Sequence, residues 1–567
     1  MQRKAAAAWR AENQLMSHCA VPLHPHRAWA WLRRWAAALA LLPLMLLGST
    51  AAAAEASAWL HPDGRPKAAA LQALALLEDA ASHGLRPEDY AAGTLRPTLE
   101  QAARLGLAPP ADARLAQALD ASMQRYLSDL GDGRVDPRRL QQDFAPARRE
   151  PFNAAALLQA ALSTGTPADA ARQAAPTVPQ YQQLRQTLAT YRALADHPAW
   201  QSPLPPLPTA PSLPVVAGLK LSKARAAPPK LSPAQAYAGL AMLASRLQAL
   251  GDLPPDVPVP AVYDGPLVDA LRAFQRRHGL ADDGVIGAAT RAALQVPPAA
   301  RARQIELALE RLRWTPLLQG PRMVVINIPE FVLRAYEVVD GRPLVRQQMK
   351  VIVGKALDTR TPLFDEDMQT IEFSPYWNVP PSIARGETVP RLRRDPGYFE
   401  REGFEFVAPG GQVLTSLTPE RIDALRAGQL RIRQRPGPKN ALGDIKFVFP
   451  NLQHIFLHHT PAVSLFARDR RDFSHGCIRV EQPVALASFV LQGQNDGATW
   501  PDERIRQAMA QGHSTTLKLS APVPVLIAYG TALVKAGRIH FFNDLYGQDR
   551  LLDEALHQPR PSLPAPD

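Results

Sequence analysis

Cys477 stands in "RRDFSHGCIRV" (470–480), directly after His475 and Gly476. A cysteine works as a nucleophile when a base takes its proton, another group orients that base, and N–H donors meet the oxyanion. The stretch "NLQHIFLHHTP" brings three histidines upstream: His454, His458 and His459. Read as a strand over 453–459, its side chains alternate in direction. His454, Phe456 and His458 then share one face, and Ile455, Leu457 and His459 the other. The second face is mostly apolar and is expected to pack into a core, so alternation gives His458 to the thiol. Gly476 lets the backbone approach a substrate carbonyl, and the amides of the "SHGC" turn around His475, Gly476 and Cys477 are candidate oxyanion donors. "VEQPVALASFV" reads as a helix opening near Pro483, a favoured first helical residue. It starts several residues after Cys477, so its dipole offers the thiol partial help.

Two other readings of Cys477 compete. One is a small buried thiol. The other is a zinc site of three histidines and a cysteine, which the opposed faces of His458 and His459 disfavour. Compartment bears on the choice. Arg33 and Arg34 precede the apolar run "WAAALALLPLMLLG" and the small residues "STAAAAEASA". This order reads as a secretory signal peptide cleaved near Ala54, the apolar core being short against the roughly 20 residues needed to span a bilayer. Met16 is an alternative start. The chain has two cysteines, and cleavage removes Cys19. Cys477 is then alone in the mature chain, so an intrachain disulfide and an all-cysteine zinc site are both excluded by count.

The elements that must position these residues fall into several units, as expected for 567 residues. Residues 56–196 are Ala/Leu-rich with helical spacing, as in "AAALQALALLEDAASHGL" and "LAQALDASMQRYLSDLGDGRVDP". "DLGDGRVD" lacks calcium-loop spacing and reads as a turn. Proline crowds 199–232, an irregular linker. Helical periodicity resumes at Ala234. A helix over Pro266–His278 carries Leu267, Leu271 and Phe274 on one stripe, and a second starts near Ala288. From 322 the pattern becomes strand-like, with a turn at Asp340–Gly341 and helical insertions near 382–393, 419–427 and 482–492. The net charge of +12 is spread along the chain. No zinc-finger spacing or basic block points to nucleic acid, whereas an anionic polymer such as a cell wall suits an exported basic protein.

"SHGCIRV", with His458 of "FLHHTP" 19 residues earlier, closely resembles the signature of L,D-transpeptidases with a YkuD-type catalytic domain. "VIVGKALDTRTPLF", "IEFSPYWNVPPSIA", "RQRPGPKNALGDIKFVFPN" and "YGTALVKAGRIHFFNDLYGQD" resemble the large YcbB-type branch. "LRAFQRRHGLADDGVIGAATRAAL" is similar to a peptidoglycan-binding helical module, and the N-terminal helices to a scaffold domain. The resemblance implies a multidomain α+β protein. Its expected units are a signal peptide (1–54), a helical scaffold (55–230), a peptidoglycan-binding-like domain (231–297), a mainly β catalytic domain (322–530) with a helical capping insertion at about 380–430, and a C-terminal extension (531–567).

It also implies a cell-wall cross-linking enzyme of the periplasm that needs no cofactor or metal. Cys477 would attack the carbonyl between the third residue of a tetrapeptide stem and its terminal D-alanine. The amine of another stem would resolve the thioester as a 3→3 cross-link. His458 would be the base, and Arg479, Ser474, Tyr376, Trp377 and Asn440 would bind substrate. For Arg479 a structural salt bridge, and for Tyr376 and Trp377 aromatic packing, remain open alternatives. Peptidoglycan stems and glycan strands are the implied partners. Two positions depart from the family pattern: His459 replaces its usual acid, and Phe456 its usual tyrosine. The rival functions are the same thioester ending on water, a free amine or a lipoprotein, and a non-catalytic wall-binding protein, which the intact Cys477–His458 pair disfavours.

Overall fold

In a computed structural model the described residues are 57–145, 152–164, 166–208, 228–317, 320–357, 359–494 and 499–566. The signal-peptide reading, and the linker between 209 and 227, lie outside them.

The scaffold is helical, as its Ala/Leu periodicity predicts. Helices Ala68–Glu78, Ala92–Leu105, Ala111–Asp132 and Pro179–Ala193 bury one face each around Leu77, Leu95, Leu119, Met123 and Leu188. Helix Pro298–Trp314 is apolar on two sides. Ile305 and Leu309 enter that core, while Leu307 and Trp314 enter the core of the β domain. A helix buried on both sides is a rigid joint between two bodies. The small module at 231–295 has its own core, in which Leu267, Leu271 and Phe274 of helix Pro266–Arg277 pack with Leu243 and Leu247 of helix Leu240–Ala249. The stripe seen in the sequence is thus a packing stripe.

The β domain is built on strands β1 (Gln142–Asp143), β2 (Arg322–Asn327), β3 (Val332–Val339), β4 (Arg342–Gly354) and β5 (Leu363–Phe373). After an insertion holding β6 (Trp377–Asn378), β7 (Phe404–Val407), β8 (Val413–Leu414) and β9 (Arg431–Gln434), it continues with β10 (Ile445–Val448), β11 (Leu457–His458), β12 (Asp472–Ser474), β13 (Ile478–Val480) and β14 (Thr515–Ala528). Among the described residues the order is β1-β5-β10-β11-β13-β4-β3-β2-β14, with β12 beside β4 and β14 returning to pair β5. That last pairing closes the circuit of strands, so the inner side chains fill a single core: Ile371, Phe447, Leu457, Ile478 and Val525 are all buried there. Cutting Phe447 back to alanine in such a core costs about 3–5 kcal/mol. Residues 377–434 form a separate four-stranded sheet, β6-β9-β7-β8, with helices Val389–Arg394 and Pro419–Arg426 packed on it around Leu392, Phe399, Phe406 and Ile432. A C-terminal hairpin, β15 (Ala532–Lys535) and β16 (Arg538–Phe541), lies against the scaffold core through Ala532 and Phe541.

Candidate active site

β11 and β13 run parallel in the register Leu457–Ile478 and His458–Arg479. Residues paired across neighbouring strands point to the same face. Leu457 and Ile478 point into the core, so His458 and Arg479 point out. One step back, Cys477 joins their face beside Phe456, whose carbonyl accepts from the Ile478 N–H at 3.1 Å. β10 adds Lys446 opposite His458, and β5 adds Glu372 opposite Lys446. A row Glu372–Lys446–His458–Arg479 thus crosses the outer face, with Cys477 next to its end.

The expected strand over 453–459 is shorter in the structure. Asn451 accepts from the Ile455 N–H at 2.8 Å and donates to the Ile455 carbonyl at 2.7 Å, closing a turn that throws His454 to φ 55°. Only Leu457–His458 is strand. His454 therefore does not continue the face of His458, and its backbone carbonyl lies 3.7 Å from Cys477 Sγ. His459 falls on the other side. Its ring stands 3.3 Å from Asp444 and borders a cavity of about 540 Å³ with Ser374, Arg506 and Met509.

His458 is buried, and its Nδ1 meets the His459 carbonyl at 2.5 Å. A carbonyl only accepts, so the bond to His459 puts the ring proton on Nδ1 and the lone pair on Nε2. Burial, then the charge of Arg479, lowers the His458 pKa to about 3. The ring is neutral at physiological pH, as a proton acceptor must be. Cys477 is half-buried and free. Burial raises its pKa, opposed by a backbone hydrogen bond at Phe456 and by the charges of Lys446 and Arg479. The resting group is a thiol, and proton transfer must accompany attack.

The turn residues divide. Ser474 is buried; its hydroxyl donates to the Cys477 carbonyl at 2.6 Å and accepts from the Gly476 N–H at 3.2 Å. It shapes the turn, which corrects its assignment to substrate. The same bond occupies the Gly476 amide, whereas the Cys477 N–H, the other candidate donor, has no partner among the described residues. Gly476 has φ 116°, a conformation only glycine adopts without strain. His475 points outward, its Nε2 2.7 Å from Glu387 of the inserted subdomain. Asn440 is a second correction. It is buried, its amide donates to the carbonyls of Pro375 and Arg435 at 2.9 and 3.0 Å, and its Oδ1 accepts from the Leu442 N–H at 2.8 Å. Both amide protons are spent on backbone carbonyls. Trp377 packs on the subdomain's core, and the Arg433 guanidinium stacks 4.1 Å over the Tyr376 ring. Both aromatics follow the packing alternative.

Arg479 behaves differently. Its guanidinium has no ion pair or hydrogen bond among the described residues, and its Nε is buried. Burial lowers its pKa. The structural salt bridge considered from the sequence is not formed. Three neighbours escaped sequence reasoning: Lys446, Glu387 and Thr361, whose hydroxyl donates to the Gly476 carbonyl at 2.7 Å. Strand pairing could have found Lys446; nothing local marks the other two.

Three parts of the chain are similar to known domains. Residues 321–503 match the model of the L,D-transpeptidase catalytic domain, residues 51–188 a scaffold domain, and residues 238–294 a domain described as "Putative peptidoglycan binding domain". A Haemophilus influenzae protein named "Putative L,D-transpeptidase" is 31% identical over 255 residues, 45% of this chain and 49% of that one. The match thus spans about half the length of that relative. Two crystal structures of L,D-transpeptidases show weaker likeness. That from Stackebrandtia nassauensis is 12% identical at TM-score 0.20, covering 52% of this chain and 94% of its own. That from Xylanimonas cellulosilytica is 18% identical at TM-score 0.17, covering 53% and 98%. It is over residues 321–503 that this chain is similar to the L,D-transpeptidase catalytic domain family.

Proposed function

We propose that this protein is an exported L,D-transpeptidase that makes 3→3 cross-links in peptidoglycan through a thioester on Cys477. The observation that carries the proposal is the single outward face shared by Cys477, a neutral His458 and an unpaired Arg479. Cys477 Sγ attacks the carbonyl carbon before the terminal D-alanine of a tetrapeptide stem, and the thiol proton passes to His458 Nε2. The tetrahedral oxyanion takes the Cys477 N–H. Its collapse breaks the C–N bond, and His458 returns the proton to the departing amine. The side-chain amine of a second stem then attacks the thioester, loses a proton to His458, and expels the sulfur. Arg479 receives a substrate carboxylate. The peptidoglycan-binding module would hold the enzyme on the wall, and the subdomain at 377–434 would cap the cleft.

The test has two parts. Cys477→Ala should abolish cross-linking without unfolding the protein, and a carbapenem should add one covalent mass to the wild type and none to the variant. An adduct on the alanine variant overturns the nucleophile. Muropeptides from cells expressing the wild type should then contain 3→3 dimers. Trimmed monomers alone would assign the same chemistry to hydrolysis.

A further inference from the structure

The peptide unit joining Gly476 to Cys477 has two polar ends. Its N–H is the unpartnered donor beside the thiol. Its carbonyl, on the opposite edge of the same plane, accepts from Thr361 Oγ1 at 2.7 Å. A trans peptide is planar, so whatever fixes the carbonyl also fixes the direction of the N–H. Thr361 is 1% exposed, and its hydroxyl accepts from the Gly354 N–H at 2.9 Å. With one lone pair so used, its single proton is committed to Gly476.

Thr361 is itself clamped. Tyr546 Oη donates to the Gly354 carbonyl at 2.7 Å and accepts from the Thr361 N–H at 3.3 Å. Burial pushes the phenol up to about 12, so the donor keeps its proton. The Tyr546 N–H donates to Tyr529 Oη at 2.8 Å, and that hydroxyl donates to Asp544 at 2.6 Å. Gly354 permits the close approach: a Cβ there would lie 2.0 Å from the Thr359 carbonyl oxygen and 2.7 Å from the Thr361 nitrogen. This ring of hydrogen bonds reaches the Gly476–Cys477 peptide through Thr361.

We propose that Thr361, clamped by Tyr546, is a positioning residue that aims the Cys477 N–H at the oxyanion, and that residues 529–546, beyond the matched catalytic domain, are part of the active-site machinery. The proposal rests on the reading of Cys477 as an acyl nucleophile. When the Sγ–C bond forms, the carbonyl π pair moves onto oxygen and that charge meets the N–H. A hydrogen bond at the far end of the same peptide both orients and polarises the donor, strengthening it by about 10–30%.

Two reactions of one thiol separate this role from general support. Acylation by a carbapenem develops an oxyanion; alkylation by iodoacetamide is a displacement at saturated carbon and develops none. Removing an oxyanion donor outright costs about 10²–10³ in rate. Misaiming it should cost less. Thr361→Val is expected to slow carbapenem acylation about 10- to 100-fold, and Tyr546→Phe about 3- to 10-fold. Alkylation should stay within about two-fold of wild type in both, and Thr361→Ser should restore acylation. Equal losses in both reactions would show general disturbance of the thiol, and no loss in either would show an idle contact; each overturns the proposal. Carbapenem acylation of Cys477→Ala would instead overturn the nucleophile reading, whatever Thr361 does.

Discussion

Arginines at the joints of this molecule and the arginine on β13 differ in what they meet. Where the peptidoglycan-binding module joins the C-terminal hairpin, Arg277 lies against Asp252, and the same carboxylate meets Arg538. Where the scaffold joins the β domain, Arg313 meets Glu310, Arg311 meets Asp549, and Arg560 meets Asp129. On β13 the half-buried Arg479 has no ion pair or side-chain hydrogen bond among the described residues, and its Nε is buried. A charge taken from water without a partner costs several kcal/mol. The paired set offsets that cost and joins bodies of the protein. Arg479 leaves part of it standing beside Cys477, where, on the proposed function, a substrate anion would offset it. A carboxylate is not the only way to satisfy a buried guanidinium, since Arg246 donates to the carbonyls of Ala199, Leu294 and Ser202; Arg479 has neither kind of partner among the described residues.

The largest expected effect falls on the unpaired side. His458→Ala should slow acylation about 10²- to 10⁴-fold, the usual worth of a positioned base. Burial and Arg479 lower the His458 pKa to about 3, so the ring stays neutral from pH 5 upward. Acylation by a carbapenem should therefore show no acid limb between pH 5 and 8, and the limb should appear only as pH falls toward 3. A limb centred near pH 6.5 in the wild type would place the base in an ordinary solvated setting.

The next pair of variants contrasts the joint and β13 arginines directly. Asp252→Ala strands a buried Arg277 and should cost about 3–5 kcal/mol of stability, read as a lower Tm. Burial disfavours the Arg277 charge, and Asp252 more than offsets it, so removing the carboxylate leaves only the penalty. Arg479→Gln removes a charge that has no partner, and its Tm should hold or rise. Its kcat/KM for a tetrapeptide donor should fall about 10- to 100-fold, the worth of a charged hydrogen bond. A donor ending in an amide should show no such fall. A large loss of Tm in Arg479→Gln would place it with the structural arginines.

Legibility differed between regions too. That Cys477 and His458 share a face was readable from period-two alternation, which puts His458 on the side of the thiol and His459 on the other. The helices were readable because their apolar stripes are long. Alternation failed at His454, where the Asn451 side chain closes a turn that no hydrophobic pattern announces. Asn440 and Ser474 were given to substrate because a polar residue in a motif says nothing about which carbonyl it will find. Thr361 and Tyr546 were missed for a related reason. Their partners are 115 and 192 residues away in sequence, and only the folded sheet brings them together.

The smallest effect belongs to His459, where the sequence departs from its family pattern. Its carbonyl accepts from His458 Nδ1, and its N–H donates to the Ile445 carbonyl at 3.0 Å. Both are backbone groups and survive any substitution of the side chain. The ring faces away from Cys477, toward Asp444 and the cavity of Ser374 and Arg506. His459→Ala should therefore slow acylation only a few-fold, through slight loosening of the strand end. His459→Asp is the sharper probe. It sets a second carboxylate beside Asp444, and like charges this close disfavour joint ionisation. The aspartate variant should lose some stability above pH 5 and recover it as the pair takes up a shared proton at lower pH, while acylation at pH 7 stays near that of His459→Ala. Thermal unfolding and acylation at pH 4.5 and 7.5 measure both. If His459→Ala were as inactive as Cys477→Ala while His458→Ala stayed active, the base would be His459, and the outward face would have to be drawn one residue later.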